Sequence, residues 1–334
     1  MMRVLVTGGA GYIGCHCCKA LAEAGFEPVV FDDLSTGHQE AVRWGPLIEG
    51  DMRDTDALRA AMGQVHPDAV IHFAALSLVG ESAVHPERYY DVNVVGTLRL
   101  LEAMRAASVS SLVFSSTAAI YGEPATIPIP ESAPEQPVNV YGATKRACER
   151  MMQDFDAAHG IRSLRLRYFN AAGADPAAEI GEWHDPETHL VPLVLDAVLG
   201  RRPTISIFGT DYPTPDGTAL RDYIHVVDLA EAHVAALRHL LGGGASASVN
   251  LGTGQGVSVK EVIRTVEAVT GRKVPTSEEP RRVGDPPALV ADPRRAEALL
   301  KWQARADLAA MVEDAWRWHV KLYGETRATT KVAP

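Results

Sequence analysis

The chain has 334 residues, 46% of them hydrophobic and 22% charged, an ordinary composition for a soluble globular protein long enough to form two domains. A formal net charge of −10 argues against a nucleic-acid or anionic-membrane partner. No apolar run reaches bilayer length, the start "MMRVLVTGGAG" breaks on glycine before a signal-peptide core can form, and four cysteines are too few for a disulfide framework, so a cytoplasmic protein is expected.

In chain order, "RVLVTGG" is a short β-branched run ending in glycine and predicts a buried strand. An amphipathic helix follows from about Tyr12 to Gly25. "EPVVFDD" and "PLIEGD" predict the second and third strands, "DALRAAMGQ" a short helix, and "PDAVIHFAAL" the fourth strand. "YYDVNVVGTLRLLEAMRAAS" predicts a long helix, "SLVFSSTAAIYG" the fifth strand, "YGATKRACERMMQDFDAAHG" a second long helix and "RSLRLRYFNAAG" the sixth strand. Strands alternating with helices imply an α/β fold of the Rossmann type, a doubly wound parallel sheet covered on both faces.

The texture changes after Gly173. "ADPAAEIGEWHDPETH" is polar and broken by proline, and predicts a loop. "HLVPLVLDAVLGRRP" predicts a helix, and "TISIFGTDYPTPDGTALRDYIHV" short strands and turns. "VVDLAEAHVAALRHLL" is a helix, "GGGASAS" a turn, "GVSVKEVIRTVEAVTG" and "ADLAAMVEDAWRWHVK" two more helices, and "ETRATTKVAP" a frayed tail. The expected division is a dinucleotide-binding domain over 1–173 and a smaller mixed α/β substrate domain over 174–334. Segments such as 224–241 are apolar enough to pack back on the first.

Gly8, Gly11 and Gly14 follow a predicted strand and open a predicted helix. Glycine there permits a tight turn and the close approach of backbone to a pyrophosphate, while the helix N-terminus offers free N–H groups and a partial positive charge. The spacing is G-x-x-G-x-x-G, enclosing Tyr12 and Ile13. Asp32 closes the second strand roughly 20 residues on, where an acid accepts from the adenosine ribose hydroxyls and repels a 2′-phosphate. No arginine stands beside it. Asp32 and Asp33 could be ordinary turn acids, but loop, strand order and acid together point to NAD.

Tyr141 and Lys145 are four apart at the start of a predicted helix, hence on one face. A free phenol titrates near ~10 and is a poor base at neutral pH. A nearby ammonium and an oxidised nicotinamide both favour the phenolate, leaving a base poised to take a proton from a hydroxyl as hydride leaves its carbon. Thr117, after the fifth strand, can share that proton. A chance Tyr–Lys pair on a solvated face is the bland alternative; the dinucleotide context favours the reactive one.

These motifs resemble the extended short-chain dehydrogenase/reductase superfamily. "VTGGAGYIG", "HFAALSLVGES", "YYDVNVVGTLRLLEAM", "FSSTAAIYG", "LRYFNAAGA", "IFGTDYPTPDGTALRDYIHVVDLAEAH" and "PRRVGDPPALVAD" narrow the resemblance to the UDP-glucose 4-epimerases, over roughly residues 2–320. The resemblance implies that Tyr141 deprotonates the sugar 4-hydroxyl, that hydride passes to tightly held NAD and returns to the other face of a 4-keto sugar, and that Lys145 holds the cofactor ribose. It places Asp51 and Met52 at the adenine, and Phe73, Ala74 and Ala75 along the cofactor groove. It has Asn93 supporting that groove and Tyr168 near the nicotinamide. On the substrate side it implies Asn170, His189, Leu190, Arg221, Arg282 and Asp285 around the nucleotide diphosphate and its ribose, and Ser206 and Phe208 at the uracil. Arginine forks suit a diphosphate on their own chemistry. Three positions depart from the family pattern: Ser77 replaces a lysine, His189 an asparagine, and Leu289 occupies a gate tied to N-acetylated sugars. The resemblance also implies a homodimer built from the two long helices.

Ala118 and Ala119 stand where the related 4,6-dehydratases carry an Asp-Glu pair, so dehydration lacks its acid and base. Other UDP-sugars (UDP-GlcNAc/GalNAc, a UDP-pentose or a UDP-uronate) stay open as substrates. An NAD-binding regulatory protein is disfavoured by the intact Tyr141 and Lys145. "CHCC", residues 15–18, suggests a metal or redox site. However, Ile13, Cys17, Ala20, Leu21 and Ala24 share the stripe that faces the sheet, Cys15 lies nearly opposite Cys17, and no second ligand pair has zinc spacing. No metal is expected. Cys15 and Cys18 form a C-x-x-C that a helix could bring together, with Cys15 a slightly acidic thiol, but that turn is already committed to pyrophosphate.

Overall fold

The computed structural model describes residues 1–282 and 285–324; the expected tail, 325–334, lies outside them. The first half alternates as expected: β1 (Arg3–Thr7), α1 (Tyr12–Glu23), β2 (Glu27–Asp32), β3 (Leu47–Glu49), α2 (Thr55–Val65) and β4 (Ala69–His72). Two short helices, α3 (Val79–Val84) and α4 (Pro86–Tyr89), lead through a π-helical turn, Tyr90–Val95, into α5 (Gly96–Ala106). Then come β5 (Ser111–Thr117), α6 (Val140–His159) and β6 (Arg162–Tyr168). The second half adds β7 (Asn170–Ala172), α7 (Leu190–Leu199), β8 (Ile205–Phe208), β9 (Leu220–Arg221), β10 (Tyr223–His225), α8 (Val226–Leu241), β11 (Ala247–Leu251) and β12 (Val257–Ser258). It ends with α9 (Val259–Thr270), β13 (Thr276–Glu279), β14 (Ala288–Leu289), α10 (Arg294–Leu300) and α11 (Leu308–Tyr323).

The central sheet has seven parallel strands in the order β11-β6-β5-β4-β1-β2-β3. The direction of winding reverses between β1 and β4, which is where open α/β sheets bind their ligands. The two-residue period of each strand sorts its side chains onto two covered faces. Val4, Val6, Ile71, Val113, Leu164 and Val249 face one layer with Cys17, Leu21, Leu229 and Leu237 from α1 and α8. Leu5, Val70, Leu112 and Phe114 face the other, with Leu58, Leu101 and Met152 from α2, α5 and α6. At roughly 1.5–3 kcal/mol for each large side chain removed from water, these two layers dominate the folding energy.

A third cluster, around Val194, Leu195, Val262, Val266 and Val312, holds α7, α9 and α11 together beside the sheet. The "GGGASAS" segment differs from expectation. Its last two residues begin β11, which pairs with β6 from Ala247 to Leu251. "ASVNL" lacks a β-branched run, and the strand forms because β6 presents an open edge that α8 and α10 already flank.

Several polar rings are locked inside. His72 bridges Thr7 Oγ1 (2.7 Å) and Thr97 Oγ1 (2.9 Å). His233 donates from Nδ1 to the Leu229 carbonyl at 2.8 Å and packs against the Phe73 and Tyr168 rings. Burial lowers the pKa of His16 to about 4, His72 to about 3 and His233 to about 4. An unfolded imidazole titrates near ~6.5. The unfolded chain therefore takes up more protons as pH falls below that value, and these rings contribute stability that is present above ~6.5 and lost toward pH ~4. The melting temperature should fall across this window, and a His233→Leu variant should show a shallower fall whatever its value at pH 7. A slope parallel to the parent's would remove His233 from the account.

Candidate active site

A cleft of about 800 Å³ runs along the carboxyl ends of the sheet strands, from the glycine loop to the short strands β7, β9, β10 and β14 of the second half. At one end Gly8 adopts φ +74°, and Gly14 lies so close to it that a Cβ on Gly14 would stand 2.2 Å from the Gly8 carbonyl oxygen. That contact lets α1 begin immediately beyond β1. Gly11 is its N-cap, with no side-chain cap and no acid in the first turn. The helix thus turns uncapped N–H groups toward the cleft, the arrangement that suits a pyrophosphate. Asp32 accepts from the backbone of Ala10 and Leu34, each at 2.9 Å, and burial raises its pKa despite these bonds. Its carboxylate is held at the end of β2, and Phe31, Asp33, Asp51 and Met52 complete that wall. The residues fit a dinucleotide.

Mid-cleft, Asn139 caps α6 by accepting from Gly142 at 2.8 Å, and this fixes the first turn that carries Tyr141. The Thr117 hydroxyl is within hydrogen-bonding reach of the Tyr141 phenol. Lys145 donates to the Ser115 carbonyl at 2.9 Å and lies 4.7 Å from the centre of the Phe114 ring. Burial drops its pKa to about 8. Burial pushes the Tyr141 phenol up to about 12, with Thr117 working against the rise. The expected lowering of Tyr141 by Lys145 is therefore not seen: the amine is turned to the Ser115 carbonyl, and desolvation of the phenol outweighs everything else. Tyr168 shares a short hydrogen bond with Ser115.

On the far side, the Arg221 guanidinium pairs with Asp285 and donates to the Leu220 carbonyl at 2.6 Å. Asn170, His189, Leu190, Arg221, Arg282, Asp285 and Leu289 all line the cleft, as do Gly8, Gly11, Tyr12, Ile13, Gly14, Phe73, Ala74, Ala75, Thr117, Tyr141, Lys145 and Tyr168. Asn93, Ser206 and Phe208 do not line it. Asn93 sits in the π-helical turn and holds the cleft wall from behind, accepting from the Leu76 N–H (2.8 Å) and donating to the Leu76 carbonyl (3.0 Å). Phe208 lies under the Arg282 guanidinium at 4.0 Å. Glu182, His184 and Tyr223 also line the cleft and were not expected there. "EWHDPETH" reads as a proline-broken loop, and nothing in its spacing shows that it folds against the helix opened by the glycines.

The cysteines are all free thiols, and all are buried. The Ile13, Cys17, Ala20, Leu21, Ala24 stripe packs on the sheet layer as expected. Cys15 is not the acidic thiol expected of it. Burial pushes it up to about 12, and its Sγ donates to the Tyr12 carbonyl at 3.2 Å. The reason is that α8 and the segment after Gly173 cover the outer side of α1, where Lys19 pairs with Asp175 at 2.5 Å.

Residues 4–252 match the model of the NAD dependent epimerase/dehydratase family. The chain belongs to this family. It is 52% identical over 317 residues to a UDP-glucose 4-epimerase of Rhizobium meliloti (strain 1021), covering 95% of this chain and 97% of that one. A solved UDP-glucose 4-epimerase from Brucella ovis in complex with NAD is 49% identical, with a TM-score of 0.94 over 96% of this chain and 99% of the other. One from Stenotrophomonas maltophila, with bound NAD and formylated UDP-arabinopyranose, is 42% identical, with a TM-score of 0.95 over 98% of this chain and 100% of the other.

Replacing Gly14 with alanine should force the helix start away from Gly8, cost about 1–3 kcal/mol of stability and weaken dinucleotide binding. Chemical denaturation and NAD titration of the variant would measure both; retention of parental affinity would show that the close approach is not what the cofactor needs.

Proposed function

We propose that this chain is a UDP-glucose 4-epimerase that interconverts UDP-glucose and UDP-galactose through a 4-keto sugar. The observation that carries the reading is one continuous cleft. It joins an uncapped, glycine-opened helix to the Tyr141, Thr117 and Lys145 group and then to the Arg221 and Arg282 side. Bound NAD supplies a reversible hydride acceptor. Gly8, Gly11, Gly14 and Asp32 hold it, with Asp51, Met52, Phe73, Ala74 and Ala75 along its length. Tyr141 takes the proton of the sugar 4-hydroxyl and gives it back after the keto sugar has turned over. Thr117 hydrogen-bonds the same oxygen. Lys145, anchored on the Ser115 carbonyl, holds the cofactor ribose. Arg221, Arg282, Asp285, Asn170 and the His189–Leu190 segment hold the nucleotide diphosphate and ribose, so the sugar is free to turn while its handle stays fixed. Ala118 and Ala119 offer no acid or base, which disfavours dehydration. In this reading residues 1–173 are the cofactor part and, among the described residues, those from 174 to 324 mainly the substrate part, with 224–241 packing on the first.

Leu289 lines the cleft and is of middling size, so N-acetylated UDP-sugars are the second substrate class to offer. Purified protein should epimerise UDP-glucose without added NAD, as read by resolving the 4-epimers across a panel of UDP-sugars. A Tyr141→Phe variant should lose roughly 10²–10⁴-fold in kcat, the scale of a missing general base. Full activity in that variant would sink the mechanism.

We also infer a cytoplasmic homodimer. Among the described residues no helix is long and apolar enough to cross a membrane. Val84 and Tyr90, which lie next to α5 and α6, are 69% and 47% exposed, two apolar side chains that a second copy packed on these helices would cover. Light scattering should give about twice the 35.9 kDa chain mass; a monomer mass would refute the dimer.

A further inference from the structure

We propose that Glu182, His184, Glu187 and His189 form a binding site for a divalent transition metal, zinc being the best-matched ion. The four fall in one short run, E-x-H-x-x-E-x-H, between β7 and α7. One ligand atom from each lies within 4.8 Å of all the others. Two imidazole nitrogens with two carboxylate oxygens make a borderline donor set, which suits Zn²⁺ or Co²⁺ and not the all-oxygen shells of Mg²⁺ or Ca²⁺. Metal–ligand bonds of ~2.0–2.1 Å in a tetrahedron set ligand-to-ligand edges of about 3.4 Å, so small side-chain rotations complete the set.

The surroundings hold the donors in place. Glu187 Oε1 accepts from the Thr188 and His189 N–H groups at 2.7 and 2.8 Å. The Glu182 carbonyl accepts from Trp318 Nε1 at 2.9 Å, and Trp183 stacks on His38 at 3.7 Å. The His184 and His189 rings meet edge-on at 5.3 Å, both directed at the buried Glu182 carboxylate. The two rings face one carboxylate, and one divalent ion would satisfy all four groups at once. The side chains of His184 and His189 are 30% and 49% exposed, which leaves the site open to solvent.

Glu182, His184 and His189 line the same cleft as Tyr141, but the test reads metal uptake with no sugar nucleotide present, so its outcome does not depend on the epimerase reading. Tag-free, NAD-loaded protein is stripped of metal and titrated with Zn²⁺ by calorimetry, and with Co²⁺ by visible absorption, with no sugar nucleotide present. One equivalent should bind, Co²⁺ should give the intense bands of a tetrahedral site, and the melting temperature should rise with Zn²⁺. His184→Ala and Glu187→Gln, each checked for folding by circular dichroism, should each weaken binding at least tenfold. Failure of the parent protein to take up Zn²⁺ stoichiometrically overturns the proposal, and so does uptake that both variants leave unchanged.

Discussion

The contact between Gly14 and the Gly8 carbonyl is the constraint on which the site depends. A strand and a helix can meet this closely only where neither carries a Cβ, and 2.2 Å is far inside any contact a side chain could make. The approach has two consequences. It sets the first turn of α1 at the carboxyl edge of the sheet, so its uncapped N–H groups face the cleft. It also draws the rest of α1 down onto β1 and β2, so small residues are needed along the helix. Cysteine at 17 and 18 meets that need as a small apolar filler.

A second constraint lies behind the reactive pair. Tyr141, Lys145 and Glu149 follow one another at four-residue spacing on α6, on the face turned to β5 and β6. Glu149 pairs with the buried Arg167 at 2.6 Å and accepts from Ser116 at 2.5 Å. Arg167 also donates to Tyr121 at 3.0 Å, and Tyr121 donates to Asn250 at 2.7 Å. A buried pair of this kind is a weak source of stability but a strong source of register, because breaking it strands a charge. It ties α6 to β6, and through Asn250 to β11, so the turn carrying Tyr141 cannot slide along the sheet.

Much of the first half was legible in the sequence because β1, β2 and β4 are short apolar runs and the helices between them carry apolar stripes. The glycine loop, Asp32 and the Tyr141–Lys145 spacing could be read because each is a local pattern with its own chemistry. What could not be read is non-local. β11 exists because β6 has an open edge. Tyr141 is shifted upward because the cleft desolvates it, and Lys145 is turned to a main-chain carbonyl that only the fold brings near. Cys15 lies on the side of α1 opposite Cys17, which the protein covers with its second half, and the Glu182–His189 cluster forms where a loop with no periodicity packs back on α1.

That loop changes what the two halves of the chain mean. Tyr12, in the glycine loop, donates to the Gly173 carbonyl at 2.7 Å, and Lys19 on the same helix pairs with Asp175 and Glu179. His38, beyond β2, donates to the Trp183 carbonyl at 3.0 Å while stacking on its ring. The segment from Gly173 to His189 is thus fastened at three points to the part proposed to hold the cofactor, and it continues directly into His189 and Leu190, which line the cleft. One piece of chain therefore touches both ends of the cleft. The glycine-loop helix is joined to the 173–189 segment by ion pairs and a hydrogen bond, and His38 by a ring stack, in addition to the packing of the helix on the central sheet. Partly buried ion pairs such as Lys19–Asp175 are screened far less than exposed ones, so this fastening persists at salt concentrations that weaken the surface pairs elsewhere on the protein.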